Sequence, residues 1–304
     1  MGARPEETYV VEPFVKWLCE RYGYEYVDPD RLDRESPRSV ILRDRLEGAI
    51  QRLNPWIPQN LLRRVVGEVM LSLERPARPD LVDANRVVYE RLIRGVGVRV
   101  ESPRHNTVRL FDFNNPGNND FVVTKSAQDG PSFVVAGEKR EIKPDIVVFV
   151  NGIPLVVVEA KSPTLVGKDP IEEAVSQLER YQEEAPQLFY TNLFLVATCG
   201  QDARYGPVGG EFKEWNDEEI REKLRDELGR EPTPQEVLLE ALFPKGALLD
   251  YLRNFVVFAN EHGRWVKKIG RYQQVRAVNK AVESALRVMT VSYTHLTLPT
   301  TERV

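Results

Sequence analysis

Histidine and cysteine are scarce, with three of the first and two of the second in 304 residues. His105, His262 and His295 are scattered, and Cys19 and Cys199 lack any zinc-ligand spacing. That excludes a zinc centre and the paired histidines of a ββα-metal nuclease. Two isolated cysteines also exclude a disulfide framework and suit a reducing, cytoplasmic compartment. A Ser–His–Asp hydrolase lacks its nucleophile elbow. Gly206, Gly209 and Gly210 form no phosphate loop, because no Gly-Lys-Ser/Thr follows them. No run approaches the roughly 18 apolar residues of a membrane span, and residues 1–7 lack an apolar signal core, so no membrane contact is expected. Formal charge is −4, so any nucleic-acid contact must come from local basic patches.

What remains is an ordinary soluble composition, 42% hydrophobic and 29% charged, long enough for one large or two modest domains. The stretch 143–162 dominates it. Two β-branched runs, residues 146–150 and 155–158, flank Asn151-Gly152, the strongest short-range hairpin signal. Asp145 opens the first strand, and Glu159 and Lys161 close the second. Side chains two apart on a strand share a face, so Glu159 and Lys161 project together. The loop decides whether Asp145 joins them. A strict two-residue turn pairs Asp145 with Val158 and aims its carboxylate at the wrong face. A three-residue loop pairs it with Glu159, and a five-residue loop with Lys161. Pro154 cannot donate to a ladder, which favours a longer or bulged connection. Convergence of Asp145, Glu159 and Lys161 is therefore expected.

Two carboxylates at the edge of an apolar sheet are costly unless a positive charge lies between them. Mg²⁺ fits, because it takes oxygen ligands and keeps several waters. Asp145 and Glu159 are the expected metal ligands, with the backbone carbonyl of Ala160 as a further oxygen. Lys161 would hold or polarise the water that attacks a phosphodiester. The plainer alternative is a buried hairpin with a solvated Glu–Lys end.

Elsewhere, helical periodicity marks residues 8–21, 40–53, 58–75 and 86–94, and a short strand is expected at 24–27. Residues 96–100, 108–113 and 121–124 read as strands, with a turn rich in Asn, Pro and Gly between the last two that caps backbone groups. Asp169-Pro170-Ile171-Glu172 starts a helix on whose flank Gln177 and Tyr181 are neighbours. Residues 193–198 form a buried strand in a βαβ arrangement. Charged helices follow, the second capped by Thr233 and Glu236 and the third spanning 247–260.

The blocks Asp112-Phe-Asn-Asn-Pro116 with Asn118-Asn-Asp-Phe121, Pro144-Asp145 through Lys161, and Gln177-x-x-x-Tyr181 occur here in a definite order. Residues 250–258 and 271–280 complete that series. In this order they resemble the PD-(D/E)xK nuclease core at the amino terminus of the restriction (motor and nuclease) subunit of type I restriction–modification enzymes. The resemblance covers nearly the whole chain to about residue 290.

It implies an α/β fold, a PD-(D/E)xK restriction-endonuclease-like core with a mixed central sheet flanked by helices, followed by a helical linker. It also implies a type I site-specific deoxyribonuclease acting on double-stranded DNA with Mg²⁺, coupled in the full-length parent to ATP-driven translocation. The partners implied are modification (methyltransferase) and specificity subunits. Gln177 and Tyr181 match the family's Gln-x-x-x-Tyr and would bind a phosphate or hold the catalytic lysine. Glu12 is the position that matches an additional acidic metal residue on the first helix; a solvated helical glutamate is the alternative. Tyr272, Gln273 and Gln274 match the segment near the adenine of ATP, just before the motor.

The expected domains are the nuclease with its amino-terminal helices over 1–205, a helical linker over 206–262 and the start of the translocase over 263–290. Residues 291–304 break the periodicity and read as a disordered, non-native tail, and the chain reads as a fragment. Two other functions are compatible with the sequence: a stand-alone, repair-type PD-(D/E)xK nuclease, and a non-catalytic module that docks a motor on its methyltransferase complex.

Overall fold

The computed structural model describes residues 5–99, 106–127, 129–138 and 140–294. A seven-stranded mixed sheet runs in chain order through β1 (Glu25–Tyr26), β2 (Phe121–Lys125), β3 (Ile146–Val150) and β4 (Ile153–Ala160). It continues through β5 (Phe194–Thr198), β6 (Ala203–Gly206) and β7 (Lys213–Glu214). The pairs β1–β2 and β4–β5 are parallel and the others antiparallel. Every residue of β3 and β4 is buried, so both faces of the sheet centre are covered. Such strands read as unbroken apolar runs and not as alternation.

The helices are α1 (Glu12–Tyr22), α2 (Arg43–Leu53), α3 (Gln59–Glu74), α4 (Leu81–Arg94) and α5 (Pro170–Glu184). They are followed by α6 (Glu218–Leu228), α7 (Pro234–Leu242), α8 (Lys245–Asn254) and α9 (Tyr272–Thr294). Helix α5 lies on β4 and β5 and completes the βαβ crossover expected there. Asp169 caps it by accepting from the Ile171 and Glu172 amides. Thr233 and Glu236 form the expected capping box on α7.

The chain divides after Ile269 into two compact units. Among the described residues the second unit is α9 alone. The helices of the 206–262 segment therefore lie in the same unit as the sheet. An edge-on aromatic cluster holds them there: Phe243 stands 5.4 Å from Phe14 of α1 and 5.9 Å from Phe194 of β5, and Tyr251 of α8 is 5.7 Å from Phe194. All four rings are buried. Phe243→Ala should cost about 3–5 kcal/mol, the scale of deleting a buried aromatic side chain. Urea unfolding would register this as a lower midpoint at an unchanged slope.

Several expectations differ from the structure. The helix expected over 247–260 ends at Asn254, and Val256–Glu261 is a strand, β8, paired with β9 (Arg264–Ile269). His262 and Gly263 both take positive φ and make the tight turn of this hairpin. A helical reading missed it because β8 follows α8 with a single residue between. The strands expected over 96–100 and 108–113 shrink to Val96–Gly97 paired with Thr107–Val108; residue 100 lies outside the described residues. Beyond Val108 asparagine side chains replace the ladder. Asn54 bonds both backbone groups of Arg109, Asn119 does the same for Asp112, and Asn151 donates to the Leu110 carbonyl. Helix α4 begins at Leu81, five residues before the expected start, because Asp80 caps it. The first helix opens with a π turn, Glu7–Val11. Residues 291–294, expected to be disordered, continue α9 to Thr294, and residues 295–304 of that tail lie outside the described residues. No glycine or proline interrupts the helix there, and an established helix propagates.

Candidate active site

The β3–β4 hairpin builds the site. Asn151 and Gly152 both have positive φ, 53° and 76°, as a two-residue turn requires, and Val150 pairs with Ile153. Alone, that turn would place Asp145 opposite Val158. A bulge corrects it: Phe149 pairs with Pro154 and Val148 with Val156, which leaves Leu155 as an extra residue in β4. Ile146 then pairs with Val158, and Asp145, just ahead of β3, comes opposite Glu159. The proline that forbids a regular ladder sits at the bulge.

The three expected residues converge. Asp145 Oδ2 accepts from the Ala160 amide at 2.8 Å. Lys161 Nζ donates to Glu159 Oε1 at 2.6 Å and to the Ala160 carbonyl at 2.9 Å. Glu159 is 1% exposed, and its Oε2 is buried without a hydrogen-bond partner. Burial pushes the Asp145 carboxyl up to about 6, against the Ala160 amide and Lys161, which favour its charge. Burial and the Asp145 charge hold the Glu159 carboxyl well above the usual carboxylate range. Burial opposes the Lys161 charge, but Glu159 and Asp145 outweigh it and raise the ammonium above its ordinary value.

Other elements hold this arrangement. Tyr181 donates to the Lys143 carbonyl at 3.1 Å and accepts from Gln177 at 2.5 Å. Burial, then the Glu159 charge, pushes its phenol up, so it stays a donor. Gln177 and Tyr181 thus fix the backbone two residues before Asp145, and Lys161 takes its own contacts from Glu159 and Ala160. Ser126 bonds the carbonyl of Pro144 through its hydroxyl, and that of Asp145 through its amide.

Glu12, exposed on α1, is ion-paired with Lys125 of β2. Six residues earlier, the Glu6 charge raises the pKa of both Asp145 and Lys161. Sequence reading missed Glu6 because a π turn rotates the helix start, and no periodicity reports that. It also missed Gln235 of α7. That buried side chain accepts from the Thr198 hydroxyl and donates to the Val10 carbonyl, tying β5 to the helix that carries Glu6. Its partners lie 37 and 225 residues away in sequence, and its only local signal was the capping box around it. Tyr272, Gln273 and Gln274 open α9 in the second unit, where Gln274 accepts from the Arg271 amide.

Among the described residues, no group of three or more His, Cys, Asp or Glu side chains gathers to hold a metal. The fit of a cation rests on other atoms. The Lys161 ammonium already lies on two of the three expected oxygens, Glu159 Oε1 and the Ala160 carbonyl, and the Asp145 and Glu159 carboxyls lie within hydrogen-bond reach of each other. Two carboxylates, one carbonyl and retained waters suit a hard divalent ion.

A family model described as the type I restriction enzyme R protein N terminus matches residues 4–214. The chain is 34% identical over 274 residues to the type I restriction enzyme HindI endonuclease subunit of Haemophilus influenzae, covering 88% of this chain and 25% of that protein. It is 28% identical over 309 residues to a Methanocaldococcus jannaschii protein named "Putative type I restriction enzyme MjaIXP endonuclease subunit", covering 94% of this chain and 28% of that one. The chain thus spans about a quarter of the length of these relatives.

Proposed function

Because the chain belongs to the family of type I restriction enzyme R protein N termini, we propose that it is the endonuclease part of such a subunit. In this reading it has a PD-(D/E)xK core that hydrolyses phosphodiesters of double-stranded DNA with Mg²⁺. The observation that carries the reading is the convergence of Asp145, Glu159 and Lys161 around a buried carboxylate oxygen without a partner. Asp145, Glu159 and the Ala160 carbonyl would hold the metal, and Glu6, rather than Glu12, supplies the additional acidic group near it. The metal supplies positive charge where the phosphodiester oxygens become more negative.

Lys161 orients the attacking water. Its raised pKa keeps it an ammonium, so it acts as a donor and a positive charge, not as a general base. Tyr181 and Gln177 hold the segment that leads from Lys143 into β3, so the Asp145 carboxylate stays opposite Glu159. In the longer protein, cleavage would follow ATP-driven translocation, with Tyr272, Gln273 and Gln274 beside the nucleotide. Modification and specificity subunits would choose the site. Among the described residues no helix is long and apolar enough to cross a membrane, and the proposed setting is the cytoplasm.

Titration calorimetry with Mg²⁺, alongside plasmid nicking, tests this. Asp145→Ala should lose metal binding. Lys161→Ala should keep it and lose cleavage, by about 10²–10³-fold. A folded wild-type chain that binds no Mg²⁺ would refute the metal site and favour a docking module.

A further inference from the structure

At the opposite end of the sheet, where β2 begins and β3 ends, a half-open cavity of about 420 Å³ lies between α2, α4, α8 and the Asn-rich loop. Asp145 lies ahead of the other end of β3, a five-residue strand. Three exposed arginines line the cavity: Arg52, Arg109 and Arg253.

Each of the three is anchored on a neutral group. Arg52 donates to the carbonyls of Asn118 and Gly48 and to the Asn151 amide oxygen. Arg109 donates to the Leu53 carbonyl at 3.2 Å. The Arg253 guanidinium lies 5.4 Å from the Phe113 ring centroid. Among the described residues no carboxylate forms a salt bridge with any of them. Asp112 lines the same cavity, but its oxygens are taken by the amides of Asn114 and Asn115 and by the Asn118 side chain. The adjoining depression is different, because there Arg45 is neutralised by Glu25 and Asp120. Three arginines therefore face one carboxylate, Asp112, whose charge Arg109 feels, so positive charge stays in excess in a cavity that is also lined by Leu53, Pro55, Ile93, Phe111 and Phe113.

Arginines held in place in excess of the neighbouring carboxylates recognise phosphate, and an adjacent aromatic and aliphatic wall takes a flat ring. We propose that this cavity binds a nucleoside phosphate, with the phosphate on Arg109, Arg253 and Arg52 and the base against Phe113 and its apolar neighbours. The ligand is either a free nucleotide or one nucleotide unit of a strand. This site is independent of the nuclease reading.

The test is calorimetric titration of the full chain with three probes: metal-free ATP, inorganic phosphate and a short end-phosphorylated oligothymidylate. ATP should bind wild type and Asp145→Asn alike, which separates this cavity from the nuclease site. Arg109→Gln and Arg253→Gln should each weaken ATP by about tenfold, the scale of one charged hydrogen bond. Inorganic phosphate should bind more weakly than ATP. Competition by the oligothymidylate assigns the ligand to a strand, and its absence assigns a free nucleotide; either outcome upholds the site. Arg52 is left intact because it holds the Asn-rich loop. The proposal is overturned if ATP does not bind, if phosphate binds as tightly as ATP, or if both single variants, folded by circular dichroism, bind ATP as wild type does.

Discussion

Asp145→Asn is expected to abolish Mg²⁺-dependent cleavage while making the metal-free protein more stable. The asparagine oxygen can still accept from the Ala160 amide, so the hairpin keeps its contact. What disappears is a negative charge beside Glu159 in a site that desolvates both carboxylates. The sign follows from linkage. The folded-state value of Asp145 is about 6, above the ordinary 3.8. Its contribution to stability is therefore fully present below about 4 and is lost as pH rises through about 6. At neutral pH the ionised aspartate costs the metal-free fold about 3 kcal/mol. Asp145→Asn should recover part of that, raising the metal-free Tm by about 3–6 °C at pH 7 and by little at pH 4. Cleavage should fall by about 10³-fold or more, because a metal ligand has been lost. Thermal melts at the two pH values with and without Mg²⁺, together with plasmid nicking, check both halves. A lower metal-free Tm for the variant at pH 7 would contradict the account. The same protonation competes with metal, so Mg²⁺ affinity of the wild type should weaken as pH falls below about 6, and binding should release protons.

Gly152→Ala should be strongly destabilising. Gly152 has φ +76°, and an added Cβ would lie 2.4 Å from the Leu42 carbonyl oxygen and 2.9 Å from the Leu46 nitrogen. Both obstacles are backbone of the segment entering α2, which itself donates from Leu42 to the Gly152 carbonyl. Neither can move without unseating that helix. Left-handed strain of about 1–2 kcal/mol and overpacking of about 1–3 kcal/mol add to roughly 2–5 kcal/mol. The consequence reaches the site as well, because the turn sets the register that brings Asp145 opposite Glu159. Chemical denaturation should show the loss of stability, and nicking activity should fall even where the variant remains folded. Wild-type stability in Gly152→Ala would show that the turn tolerates another geometry.

What the sequence determined by itself was local. β-branched runs on either side of Asn-Gly specify a hairpin, because those backbone preferences act within a few residues. A two-residue period puts Glu159 and Lys161 on one face without reference to the rest of the chain. The caps of α5 and α7 were equally legible, because a cap is satisfied within its own first turn. Long-range packing decided the remainder. Pro154 already pointed to a longer or bulged connection, but the place of the bulge at Leu155, which brings Asp145 across from Glu159, is set only when β4 pairs with β3. Asn54, Asn119 and Asn151 replace an expected strand, because buried backbone groups take the nearest donor or acceptor wherever it lies in the chain. Glu6 nears the site through a π turn, and Gln235 secures that helix from 225 residues away. Residue types and periodicity carry the preferences of each segment; the electrostatics of Asp145, Glu159 and Lys161 arise only where folding removes water from all three at once.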